Sequence, residues 1–132
     1  MENCLFCKII KGELPSYKIW ENERFLAFLD INPICPGHTI LIPKKHVDYI
    51  FGLEEPLYLE MFKIVKQLSK ALKKAIRSKK IGLVVEGFNV SHAHIHLVPI
   101  NKGNELNSSR AKKGDSEKLL KIQEKIKIEI EK

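Results

Sequence analysis

Apolar side chains at positions 57, 61, 65, 68, 72 and 76 recur at intervals of three and four, which predicts a long helix over Leu57–Ile76. Glu54-Glu55-Pro56 suits its first turn, and its lysine-rich end complements the negative pole of the helix dipole. Upstream, Tyr17–Glu21 and Arg24–Asp30 read as two short strands about the turn Glu21-Asn22-Glu23. A third strand, His38–Ile42, is bracketed by Pro36-Gly37 and Pro43. Ile81–Glu86 and His92–Val98 read as strands four and five, with a turn near Gly87. Leu5–Lys11 predicts a short helix ended by Gly12. The tail predicts another, capped by Asp115 and striped by Leu119, Ile122, Ile126 and Ile130. Antiparallel strands joined by tight turns, with one long helix inserted, give an α+β domain.

The expected organisation is therefore one domain over residues 1–100, a polar linker over 101–114 and an amphipathic helix over 115–132. That helix cannot bury its stripe alone and is expected to pack on the same domain or across a dimer. At 132 residues and 44% hydrophobic composition, the chain is long and apolar enough to close a core. It has no apolar run approaching the roughly 18 residues of a membrane span. The opening Met1-Glu2-Asn3-Cys4 lacks the basic flank and apolar stretch of a signal peptide. Three cysteines are too few and too odd in number for a disulfide framework, which points to a reducing, cytoplasmic setting.

The formal net charge of +7 is concentrated rather than spread, because residues 63–80 carry eight Lys or Arg and no Asp or Glu. A basic stripe can meet phosphates or nucleic acid. This one has no interleaved aromatics to stack bases, so it reads as a solvated helix face and no nucleic-acid partner is expected.

Chemistry concentrates in His92-Ala93-His94-Ile95-His96-Leu97-Val98, which holds three of the five histidines. Alternation puts the three imidazoles on one face of a strand and Ala93, Ile95 and Leu97 on the other. Same-face neighbours lie about 6.6–7 Å apart, near the span of a phosphate with its ester oxygens. A row of imidazoles can attack, carry protons and donate to phosphate oxygens, and it can also bind metal.

This heptapeptide, followed by Pro99, resembles the signature of the histidine-triad superfamily, histidine–apolar three times with a final apolar residue. Cys4–Ile10, Phe25–Pro33 and Pro36–His46 resemble its other characteristic stretches, so the likeness spans residues 4–100 and is nearest the Hint-like branch of nucleotide-binding hydrolases. The resemblance implies a five-stranded antiparallel sheet with helices, usually paired as a homodimer. It implies that His94 attacks an α-phosphorus and becomes transiently nucleotidylated, with His38 and His96 around that phosphate. Asp30 would hold the ribose hydroxyls, and Phe6, Ile9 and Ile31 would line the base pocket. Asn89 stands where many relatives carry a hydroxyl and would serve the leaving group as an amide donor.

The implied activity is hydrolysis at the α-phosphate of a purine nucleotide or other nucleoside monophosphate derivative: a phosphoramidate, an adenylate or a dinucleoside polyphosphate. No cofactor is needed for that chemistry. The alternative is a non-catalytic nucleotide- or zinc-binding module. Cys4 and Cys7 form a Cys-x-x-Cys pair, which by itself fits a redox site, two buried thiols or a metal site. With His46 and His92, the likeness to Hint-like members implies a structural zinc in a Cys2His2 set. Cys35 reads as a lone reduced thiol, and Trp20 as packing surface.

Overall fold

A computed structural model describes residues 3–132 of the chain, so Met1 and Glu2, part of the opening read above for a signal peptide, lie outside it. The elements run α1 (Leu5–Ile10), β1 (Lys18–Glu21), β2 (Phe25–Leu29), β3 (Thr39–Pro43), α2 (Glu55–Ile76), β4 (Lys80–Val84), β5 (Ile95–Ile100) and α3 (Ser116–Glu131). The five strands form one antiparallel sheet in the order β1-β2-β3-β5-β4. This is the α+β arrangement expected from the sequence.

The strand limits differ from the expected ones by one to three residues, those of β2 and β3 by one at each end for a physical reason. Every residue of β2 and β3 is buried, because the middle of the sheet is covered on both faces. Such strands read as continuous apolar runs, with no polar alternation to mark their ends. On one face, Phe25, Leu41, Ile95 and Leu97 pack against Leu68 and Leu72 of α2 and Ile126 of α3. On the other, Leu26, Phe28, Ile40 and Ile42 pack beneath Phe6 and Ile9 of α1. The expected strand His92–Val98 enters the ladder only at Ile95, yet the alternation holds. Ala93, Ile95 and Leu97 belong to the α2 face, while the three histidines turn toward α1.

Local chemistry sets the ends of the elements. Pro56 occupies the first turn of α2, and Arg77 closes that helix in the left-handed region at φ 60°. The Asp115 carboxylate accepts from the Lys118 N–H and starts α3 as expected. Gly37, at φ +88°, lets the chain turn into β3 where a Cβ would lie 2.7 Å from Ile76 Cγ1. Only glycine satisfies both the left-handed φ and that close approach.

Residues 101–114 are held by several backbone contacts. The Glu105 carboxylate accepts from the Asn101 and Lys102 N–H groups, and the Gly114 N–H donates to Ile31 O at 2.7 Å. The tail then lies across α2 and β1 of its own chain, with Leu119 and Ile126 buried. No described helix is long and apolar enough to cross a membrane.

Ile126 is fully buried, whereas Ile128 on the same helix is half exposed. Ile126→Ala should therefore lower unfolding stability by about 2–4 kcal/mol through lost transfer energy and a residual cavity. Ile128→Ala should stay within about 0.5 kcal/mol of the parent. Urea denaturation of both variants checks the contrast.

Candidate functional site

The site forms where α1, the turn into β3 and the approach to β5 meet. A buried neutral imidazole offers one N–H and one lone pair, so each ring's partners fix which nitrogen carries the proton. His38 is buried at the start of β3, and its Nδ1 accepts from the Ile34 N–H at 3.0 Å. Its proton is therefore on Nε2, which donates to His96 Nδ1 at 2.9 Å. His96 must then carry its own proton on Nε2, ready to donate. Burial, together with the neighbouring His38, holds His96 down at about 4. Burial also lowers His38, against the opposing pull of Asp30, whose Oδ2 lies 3.6 Å away.

His94 is fixed in the opposite sense. Its Nδ1 lies 2.6 Å from the His92 carbonyl oxygen, a contact it can make only as a donor, so the Nε2 lone pair is free. The ring is only 4% exposed and is confined by Phe6, edge-on at 5.0 Å, and by His96 at 4.9 Å.

His94 and His96 line a cavity of about 490 Å³. Phe6, Ile9, Phe28 and Ile31 supply its apolar wall, with Asp30 and Asn89 among its polar residues. An apolar wall with a few convergent polar groups is the usual construction of a small-molecule site. The structure thus gathers Phe6, Ile9, Asp30, Ile31, Asn89, His94 and His96 in one place. His38 stands one hydrogen bond behind, reaching the cavity through His96 rather than lining it. Asn32, within the stretch Phe25–Pro33, also lines the cavity, as do Leu14 and Val90, which no local pattern marks in the sequence. His94 borders a second cavity as well, of about 310 Å³, beside Tyr49, Phe51 and Phe88.

Cys4, Cys7, His46 and His92 converge in a separate cluster. Cys4 caps α1, its Sγ accepting from the Cys7 N–H. His92 Nε2 donates to the Pro43 carbonyl at 2.7 Å, leaving the Nδ1 lone pair aimed at the two sulfurs. His92 Nδ1 lies 3.4 Å from Cys4 Sγ and 3.6 Å from Cys7 Sγ, and His46 Nδ1 lies 3.2 Å from Cys7 Sγ. Tetrahedral zinc, with Zn–S about 2.3 Å and Zn–N about 2.0 Å, sets adjacent N and S ligands about 3.5 Å apart, so the four donors fit that ion. The carbonyl behind His92 is the outer partner such a ligand uses. Burial beside Cys4 raises the Cys7 thiol, so a metal would have to displace its proton. Asp30, His38 and His96 also lie close enough to hold a metal, but the hydrogen bonds above already use His38 Nε2 as a donor. Cys35 is a buried free thiol, and Trp20 is partly buried against the core.

Residues 11–103 match the family model of the HIT domain. The chain is 38% identical over 122 residues to an uncharacterized HIT-like protein of Borreliella burgdorferi, covering 81% of this chain and 88% of that one. It is 36% identical to the adenosine 5'-monophosphoramidase HNT1 of Candida albicans, covering 98% of this chain and 93% of that one. Among solved structures, a hypothetical histidine triad nucleotide-binding protein from Sulfolobus tokodaii superposes with a TM-score of 0.86 at 33% identity, over 97% and 92% of the two chains.

The lowered His96 makes the fold sensitive to acid. An unfolded imidazole binds its proton near pH 6.5, whereas folded His96 stays neutral down to about 4. Between these values the unfolded chain holds more protons. Stability is therefore full above about pH 6.5 and falls as pH drops toward 4. Urea midpoints between pH 7 and 4.5 should fall less steeply in His96→Gln than in the parent, and parallel slopes would contradict this assignment.

Proposed function

The chain belongs to the HIT domain family, and we propose that it is a nucleotide hydrolase acting through a nucleotidyl-histidine at His94. One observation carries the reading: the His92 carbonyl claims the Nδ1–H of His94, which leaves a nucleophilic Nε2 lone pair at a mostly apolar cavity. The phosphoramidase name of the Candida albicans relative supports the reaction class.

In this reading a nucleoside phosphate derivative enters with its base between Phe6, Ile9 and Ile31 and its ribose hydroxyls donating to Asp30. A purine fits the apolar wall. His94 Nε2 attacks the α-phosphorus. The bond to the leaving group breaks, and its electron pair departs with that group. A proton taken from solvent water, and returned to solvent when water later hydrolyses the intermediate, neutralises the departing atom. Water then displaces the imidazole and releases the nucleoside monophosphate. Covalent catalysis divides one difficult displacement into two easier ones. His96 donates its Nε2–H to a non-bridging oxygen, where charge grows in the transition state. His38 acts as a positioning residue, because its proton fixes the donating tautomer of His96. Asn89 offers an amide N–H to the leaving group. No metal takes part in these steps.

The same reading assigns zinc to Cys4, Cys7, His46 and His92 as a structural ion that fastens α1, and with it Phe6 and Ile9, to the sheet. It also assigns a homodimer. β4 is an edge of the sheet; Leu83 on it is exposed, and exposed Val85 just beyond it shares a cavity with exposed Tyr49 and Phe51. An unpaired edge beside an apolar patch is suited to association about a two-fold axis.

Three measurements test these assignments. Mass spectrometry after a rapid quench with a nucleoside phosphoramidate should find one nucleotidyl group on His94. His94→Ala should lose it and lose turnover by roughly a thousandfold or more, while monophosphate affinity stays within a few-fold. If His94→Ala keeps a tenth of the turnover, the non-catalytic binding module replaces this reading. Protein purified without chelator should contain about one zinc per chain. Light scattering at micromolar concentration should give twice the chain mass.

A further inference from the structure

The peptide that orients the nucleophile lies outside the sheet. β5 begins at Ile95, so no ladder hydrogen bond orders the link between His92 and Ala93. Two other bonds hold it. Its carbonyl oxygen receives the Nδ1–H of His94 at 2.6 Å, and its N–H, from Ala93, donates to the Val47 carbonyl at 2.6 Å. A trans peptide is planar, so these two groups cannot turn independently.

Both flanks of this peptide lead directly into the thiol–imidazole cluster. His92 provides the carbonyl, and its own ring lies between Pro43 O and the two sulfurs. Val47 provides the opposing acceptor and directly follows His46, whose Nδ1 faces Cys7 Sγ. Cys4 and Cys7 sit on α1, remote in sequence from both. The peptide is thus gripped from each side by a residue that is, or adjoins, a member of the cluster.

We propose that the cluster of Cys4, Cys7, His46 and His92 is a positioning device for His94, and that closing it on Zn²⁺ tightens the grip on the 92–93 peptide. The inference rests on the reading of His94 as nucleophile. The donors already stand at the 3.2–3.6 Å spacing of a tetrahedral site. Four bonds to one ion would hold the rings of His92 and His46 to the sulfurs far more firmly than thiol–imidazole contacts do. If the peptide tilts, the Nδ1–H of His94 loses its acceptor. The neutral ring then divides its proton between both nitrogens, and every ring protonated at Nε2 is unable to attack. The loss of that tautomer falls on the bond-forming step, because the donor on His96 does not depend on that proton.

The test uses the full chain labelled with ¹⁵N-histidine, loaded with Zn²⁺ or stripped by chelator. Long-range ¹H–¹⁵N correlations should find His94 wholly in its Nδ1–H tautomer when loaded and in a mixture when stripped. Nucleotidyl-histidine formation in a single turnover at saturating substrate should slow roughly tenfold on stripping, so that any loosening of Phe6 and Ile9 on α1 is read in binding and not in this rate. An unchanged tautomer and rate in stripped, folded protein would overturn the proposal.

Should stripping unfold the chain, His46→Asn decides, since it keeps three ligands and loosens only the Val47 side. It should move tautomer and rate in the same direction, and His46→Cys, which restores a fourth ligand, should recover both. An unmoved tautomer in His46→Asn would also overturn the proposal. Turnover by His94→Ala would instead remove the nucleophile reading, and the tautomer comparison would still decide whether the cluster holds His94.

Discussion

A neutral imidazole has one proton to give and one lone pair to offer, and in a buried site both must find partners. That constraint orders the centre of this protein. The chain of consequence begins at three backbone groups, the Ile34 N–H, the Pro43 carbonyl and the His92 carbonyl. The first forces the proton of His38 toward His96, and the second turns the lone pair of His92 toward the sulfurs. The third claims the Nδ1–H of His94, so a row of chemically identical side chains comes to present one free lone pair, one donor facing the cavity, one relay and one lone pair aimed at two sulfurs. Burial, which holds His96 near 4 and also lowers His38 and His92, disfavours the protonation that would scramble the directions of these three rings.

Periodicity recovered the helices well, because α2 and α3 each bury one stripe and leave the rest in water. Strand limits were harder to read, since helices cover both faces of β2 and β3 and remove the alternation that marks an end. The spacing of His92, His94 and His96 did reveal their common face. It could not reveal that the ladder starts only at Ile95, because that depends on where the Ala93 N–H goes, and every residue type but proline has one.

The candidate site was legible to the extent that it is made of side chains. Cys4, Cys7, His46 and His92 stand out by residue type, and so do Asp30 and the triad. The placement of His38 behind His96 was not legible, since it turns on a backbone donor four residues upstream. Leu14 and Val90 complete an apolar wall begun by Phe6, and ordinary apolar residues give no local sign of which cavity they face.

The wide separation in sequence of the cluster's members has a consequence for biosynthesis. Cys4 and His92 are 88 positions apart. At about 5–20 residues per second, a nascent chain needs roughly five to twenty seconds to extend from one to the other. Throughout that interval the two N-terminal sulfurs lack the imidazole that will adjoin them, and α1, only six residues long, is too short to persist alone. This segment, synthesised well ahead of His92, is therefore secured late, and its thiols are most open to oxidants or metals while translation is still under way.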